Sequence, residues 1–89
     1  VKRVRVVVAG RVQAVGYRWA CREEARRRGL GGFVRNLPDE RVEAAFEGPA
    51  DQVDGMVEWC RHGPTWADVT SVEVEEQPPA GDAKFVITD

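Results

Sequence analysis

The constraint that narrows this chain most is the order in which its hydrophobic period switches between two and 3.6 residues. Val4, Val6 and Val8 alternate with Arg3, Arg5 and Val7, the pattern of a strand with one buried and one partly wet face, and Gly10 ends it. From about Tyr17 to Arg28 the period is helical, with Tyr17, Cys21 and Ala25 at i, i+4, i+8 and Ala20 beside them. Glu23 with Arg27 and Glu24 with Arg28 are spaced as favourable i,i+4 pairs, each worth about 0.3 kcal/mol, and Gly29 supplies the stop. Gly32 to Leu37 reads as a second strand, Pro38-Asp39-Glu40 as a turn, and Arg41 to Glu47 as a third strand with Val42, Ala44 and Phe46 on one face. Gly48-Pro49 opens a second helix with proline at its first position; its stripe is Val53, Met56, Val57 and Cys60, and His62-Gly63-Pro64 closes it. Val72 and Val74 against Glu73 and Glu75 make a fourth strand, Pro78-Pro79-Ala80-Gly81 a loop, and Phe85 and Ile87 a short final strand.

Strand, helix, strand, strand, helix, strand is the split βαβ, or ferredoxin-like, order. The expected fold class is therefore α+β, a βαββαβ sandwich with an antiparallel sheet and, through right-handed crossovers, both helices on one face. Eighty-nine residues support one core, so a single domain over residues 1–89 is expected. With 43% hydrophobic and 31% charged residues the chain has the make-up of an ordinary globular domain, which excludes disorder. Val6 to Ala9 is too short an aliphatic run to span a bilayer, and Val1-Lys2-Arg3-Val4 does not read as a signal peptide, so a cytoplasmic location is expected. Cys21 and Cys60 belong to no CxxC or Cys/His cluster of zinc spacing and are expected as reduced thiols, although both fall on helices that a disulfide could join.

Charge is strongly polarised along the chain. Residues 1–41 carry eleven basic and four acidic side chains, residues 42–89 two basic and eleven acidic. An anion site would belong to the first part. One His (His62) and one Ser (Ser71), on different elements, make a Ser-His-Asp arrangement untenable. Cys21 and Arg27 have the Cys-x5-Arg spacing of thiol phosphatases, but the interval is helical instead of a loop. No nucleotide P-loop or dinucleotide fingerprint is present, and the carboxylates are scattered on outer faces, so no metal site or cofactor is expected.

What remains is the loop into the first helix, Gly10-Arg11-Val12-Gln13-Ala14-Val15-Gly16-Tyr17-Arg18. A loop entering a helix N-terminus points free backbone N–H groups and the positive end of the dipole at one place, a setting for a phosphate-sized anion. Arg18 opposes the dipole in the first turn, and its planar fork could hold two phosphate oxygens. The same residues also describe a glycine-flanked connector with a surface arginine.

This stretch resembles the signature of the acylphosphatase family, Gly-x-Val-Gln-Gly-Val-Gly-Phe/Tyr-Arg. Gly32-Phe33-Val34-Arg35-Asn36 with Val42-Glu43 is similar to that family's second signature, and the similarity runs over the whole chain. Ala14 and Glu40 stand where the family usually has glycine; a left-handed conformation there would cost about 1 kcal/mol. The resemblance implies a hydrolase that cleaves acyl phosphates to carboxylate and inorganic phosphate without a metal. It implies a phosphate-binding loop of Gln13, Ala14, Val15, Gly16, Tyr17 and Arg18, with Arg18 and Asn36 catalytic: Arg18 as the anion clamp and Asn36 orienting water for in-line attack. Phosphate or sulfate would compete for the site. No nucleic-acid or membrane partner is implied, and a monomer is the default.

Tyr17 and Phe33 fit core positions. Trp19 points away from the helical stripe, toward either the edge of a substrate cleft or a partner contact, and no motif marks a pocket for the acyl portion. The alternatives to an enzyme are a catalytically silent ligand sensor and an RNA-binding module. The RNA reading rests on Arg28-Gly29-Leu30-Gly31-Gly32-Phe33-Val34, a faint echo with Leu30 where an aromatic should stack.

Overall fold

The computed structural model of the chain describes residues 1–88. Its elements are β1 (Lys2–Arg11), α1 (Tyr17–Arg27), β2 (Gly31–Asn36), β3 (Val42–Gly48), α2 (Ala50–His62), β4 (Asp68–Gln77) and β5 (Phe85–Ile87). The α+β, βαββαβ order expected from the periodicities is present. The sheet runs β4-β1-β3-β2-β5.

One face of this sheet and the inner faces of both helices form the core. Val4, Val6 and Val8 of β1 lie opposite Phe46, Ala44 and Val42 of β3, and Val34 of β2 pairs with Ala44. Tyr17, Cys21 and Ala25 of α1 and Val53, Met56 and Cys60 of α2 close on this layer. Cys21 and Cys60 are both free and buried. Burial, and the neighbouring Cys60, push the Cys21 thiol well above its ordinary value, so it stays protonated. No helix among the described residues is long and apolar enough to cross a membrane.

Several local expectations need correction. The sheet is mixed, because β5 pairs parallel to β2. β4 and β5 occupy opposite edges, so the chain must cross the helix-free face between them. Gly10 does not end β1: at φ 123 it takes the register shift at Ala9/Gly10, and the strand continues to Arg11 opposite Asp68. A Cβ at Gly10 would lie 2.2 Å from the Asp68 carbonyl oxygen. Pro49 is the cap of α2 and not its first residue, since its ψ of 136 is extended and its carbonyl accepts from the N–H of Gln52 and Val53. Phe33 lies outside the core: Val34 takes the helix-facing position, and period two turns Phe33 to the open face. Glu24, not Glu23, meets both Arg27 and Arg28, while Glu23 meets Arg22.

The crossing over the open face is held by charge. Glu47 of β3 accepts hydrogen bonds from the Ala80 N–H (2.7 Å), the Gly81 N–H (2.9 Å) and Arg3 (3.0 Å), while Arg3 also meets Asp82 at 2.8 Å. The Ala80 N–H above all, with Arg3 and the Gly81 N–H, holds the Glu47 carboxyl below its ordinary value of 4.5 against opposing burial. Burial also opposes ionisation of Glu43, but hydrogen bonds from Arg35 and Arg5 outweigh it.

Both carboxyls are lowered on folding, so the stability they contribute is fully present above pH 4.5 and is lost as pH falls through their folded values. Urea midpoints measured at pH 7, 4.5 and 3 should therefore drop mainly in the last interval. Glu47→Gln should start lower at pH 7 and lose less between pH 4.5 and 3; an acid dependence identical to that of the parent chain would show that Glu47 does not carry it.

Candidate active site

The site is built where β1 gives way to α1. Val12 is buried in the core and anchors the start of the loop. Gln13 does not face the cavity: its amide nitrogen donates to the carbonyl oxygens of Leu37 (2.8 Å) and Arg41 (2.9 Å) and ties the loop to the turn between β2 and β3. Val15 packs against the core. Ala14, at φ 61, and Gly16, at φ 79, are both left-handed, and between them they swing the chain into α1.

Gly16 caps the helix without a side-chain hydrogen bond, and the first turn has no acidic residue. The first backbone bond of α1 runs from the Ala20 N–H to the Gly16 carbonyl, so the N–H groups of Tyr17, Arg18 and Trp19 have no helical acceptor. They form the positive end of the dipole, where an anion is favoured. α2 differs: its first turn carries Asp51.

Tyr17 fixes the aim of this helix end. Its ring is 2% exposed, its hydroxyl donates to the Cys60 carbonyl at 2.8 Å, and it packs on Trp59 with centroids 5.5 Å apart. Burial, with the two nearby thiols, pushes its phenol far above the ordinary value, so it is an anchor and not an acid.

A cavity of about 190 Å3 opens at this point, lined by Val12, Ala14, Gly16, Tyr17, Arg18, Trp19, Asn36 and Ile87. It brings Arg18 and Asn36 together, along with Ala14, Gly16 and Tyr17 of the expected loop; Gln13 and Val15 lie behind it. Arg18 is half-buried and forms no ion pair among the described residues. Asn36 Oδ1 is buried and has no hydrogen-bond partner. An unpartnered buried acceptor costs about 1–3 kcal/mol, so its presence beside a free cation marks a place made for a polar guest. Val12 and Ile87 lie outside the expected set, and Trp19, read as either a cleft edge or a partner contact, lines the same cavity. Ile87 arrives through the β2–β5 pairing, which leaves no local trace in sequence; Trp19 adjoins Arg18 on the same exposed turn.

A larger groove of about 890 Å3 runs along Arg5, Phe33, Arg35 and Ala45 on the open face. Its arginines are committed, since Arg5 and Arg35 each donate to Glu43 at 2.5 Å, and no helix end points into it. The smaller cavity is therefore the better candidate. Leu30, which an RNA-binding module would expose for stacking, is buried in the core. Among the described residues no three His, Cys, Asp or Glu side chains gather as a metal-ligand set.

A family model for acylphosphatase matches residues 4–87. The chain belongs to the acylphosphatase family. It is 59% identical over 83 residues to an acylphosphatase of Rubrobacter xylanophilus, covering 93% of this chain and 76% of that one. It is 51% identical over 88 residues to an acylphosphatase of Syntrophobacter fumaroxidans, covering 98% and 91%. The fold superposes on the crystal structure of acylphosphatase from Bacillus subtilis with a TM-score of 0.97 at 37% identity, over the full length of both chains. The chain is thus an acylphosphatase-type hydrolase on a ferredoxin-like fold.

In this acylphosphatase the Gln13 amide is the tie between the loop and the hairpin that carries Asn36. Gln13→Ala removes two hydrogen bonds and should lower unfolding stability by about 1–2 kcal/mol in urea titrations. Gln13→Glu should be worse than Ala at pH 7, because an ionised carboxylate would confront two carbonyl oxygens. Equal midpoints for all three chains would show that the tie does not hold the hairpin.

Proposed function

We propose that the chain hydrolyses acyl phosphates at the Arg18–Asn36 cavity by direct attack of water on phosphorus. The observation that carries this reading is that one cavity is lined both by an uncommitted arginine and by an asparagine whose Oδ1 has no hydrogen-bond partner. The Arg18 guanidinium and the free N–H groups of Tyr17, Arg18 and Trp19 hold the three non-bridging phosphoryl oxygens and oppose the charge that grows on them in the transition state. Asn36 Oδ1 accepts a hydrogen bond from water and turns its lone pair toward phosphorus, opposite the acyl oxygen. The new P–O bond forms as the bond to the acyl oxygen breaks. The leaving electron pair departs on a carboxylate, and the proton of the attacking water passes to a phosphate oxygen or to solvent.

A carboxylate is stable as it leaves and needs no proton donor. The site accordingly works with positioning and electrostatics alone, which fits walls carrying no His, Cys or Ser. Inorganic phosphate and sulfate, with the same oxygens, compete for the same donors. The two free, buried thiols suit the reducing cytoplasm, where we place the enzyme.

Asn36→Ala and Arg18→Ala separate the two roles. Asn36→Ala should lower kcat with acetyl phosphate at least a hundredfold while the inhibition constant of inorganic phosphate changes by less than about threefold. Arg18→Ala should weaken both, and Arg18→Lys should restore only part of the loss, because a point charge does not reproduce the fork. Full activity of Asn36→Ala with a lowered Tm would make Asn36 structural and overturn the mechanism.

No step is routed through a metal, so hydrolysis should survive exhaustive chelation. A chelated, inactive enzyme restored by added divalent cation would refute that.

A further inference from the structure

Ile87 and Asn36 share one face of the sheet. Val34 faces the helices, Asn36 stands two residues further along β2 and so faces the same way, and Ile87 lies beside Val34 in the parallel β2–β5 pairing. Both side chains line the cavity with Arg18. β5 is pinned at both ends: the Thr88 N–H donates to the Val34 carbonyl at 2.9 Å, the Gly32 N–H donates to the Lys84 carbonyl at 2.9 Å, and the Phe85 ring stacks on Phe46 with centroids 5.4 Å apart. An isoleucine is thus held near the acceptor assigned to the attacking water.

Hydrogen bonding at this acceptor does not tell water from a small alcohol. Either would give one O–H to Asn36 Oδ1 and keep a lone pair for phosphorus. A second side-chain acceptor claiming the other hydrogen of water would favour water, but the wall offers none: Arg18 and Trp19 only donate, and the Tyr17 hydroxyl is spent on the Cys60 carbonyl. Only space remains to discriminate. At about 30 Å3 per water in the liquid, the cavity has room for about six waters, and a phosphoryl group with its nucleophile takes up most of that. Val12 is committed to the core, Ala14 carries only a methyl group and Trp19 belongs to α1, so the side chain that sets the space on the Asn36 face is that of Ile87.

We infer that Ile87 is a specificity-determining residue that restricts the nucleophile of this site to water by filling the space an alcohol's carbon would need. The inference rests on the Arg18–Asn36 reading and names what that site excludes. With the isoleucine shortened, the oxygen of methanol attacks phosphorus in place of water. The new P–O bond forms as the bond to the acyl oxygen breaks, the leaving electron pair departs on the carboxylate, and the methanol proton passes to a phosphate oxygen or to solvent. Methyl phosphate then replaces inorganic phosphate as the product.

The test turns over acetyl phosphate in buffer containing methanol and measures methyl phosphate and inorganic phosphate by phosphorus magnetic resonance, with the enzyme-free reaction subtracted. The parent chain should give methyl phosphate at least about fivefold below the share set by the ratio of methanol to water, the penalty for forcing one further carbon into a filled site. Ile87→Ala, which removes both γ carbons and the δ carbon, should raise the ratio of methyl phosphate to inorganic phosphate at least about fivefold. Ile87→Val removes the δ carbon alone and keeps a β-branched strand former, so its ratio should fall between the two. A merely structural role would lower the folded fraction and both products together, leaving the ratio where it was. Ile87→Val carries the test should Ile87→Ala fail to fold. A parent ratio equal to that of the solvent, or an unchanged ratio in the folded variants, overturns the inference. Failure of the underlying reading looks different: Asn36→Ala would then keep full activity, which takes the attacking water away from this face and the inference with it.

Discussion

α1 leaves Gly16 in the left-handed region, and no side chain turns back to satisfy the N–H groups of its first turn. In a free helix that omission would be repaired by water or by a serine or aspartate cap. Here it is fixed in place, because the first helical residue is also the largest buried side chain of α1. Tyr17 is sealed in the core, and its hydroxyl is held by the last turn of α2. The helix end therefore cannot fray or rotate without breaking the contact between the two helices. The same residue that unites α1 and α2 holds this helix end beside the cavity that Asn36 also lines.

Electrostatics sharpen this arrangement by subtraction. The basic first part of the chain and the acidic second part are brought side by side as the strands pair: Arg5 and Arg35 flank Glu43, Arg3 bridges Glu47 and Asp82, and Lys2 meets Asp54. Most of the positive field that the sequence concentrates before Val42 is thereby cancelled within the fold. Arg18 stays uncommitted where the dipole of α1 already favours an anion. Selectivity for position follows from this cancellation, because the open face keeps arginines but none of them is available.

Legibility in the sequence followed the range of the interactions. The helical stripes and the first three strands were readable because one face of each is buried against a common layer, and Gly10 to Arg18 stood out by elimination and by resemblance. The final strand is legible at Phe85 and Ile87, but its place in the sheet is not: Phe85–Ile87 is three residues long, and its position beside β2 depends on a crossing held by Glu47, Arg3 and Asp82, residues far apart in the chain. That is why Ile87 was missed as a wall of the cavity and why the sheet was expected to be wholly antiparallel. Gln13 falls in the expected loop, but the tie its side chain makes is not legible locally, since its acceptors are carbonyls of a hairpin more than twenty residues on. Spacing indicates which residues can meet on one helix; it does not choose among them, and Glu24 took both arginines.

Ala14 shows how the loop holds its shape without the usual glycine. At φ 61 an alanine costs about 1 kcal/mol relative to glycine, and a short loop would ordinarily relax to avoid it. This loop has no room to relax: Val12 is locked in the core on one side, Gln13 is bonded twice to the hairpin, Val15 packs inward, and Tyr17 closes the far end. The strain is thus over-determined by anchors that are themselves needed to place Asn36 and the start of α1 on one cavity. Part of the cost is returned through the unfolded chain, where alanine has fewer conformations to lose than glycine. The methyl group also lines the cavity wall, so the departure adds apolar surface to the proposed phosphoryl site while the backbone stays left-handed.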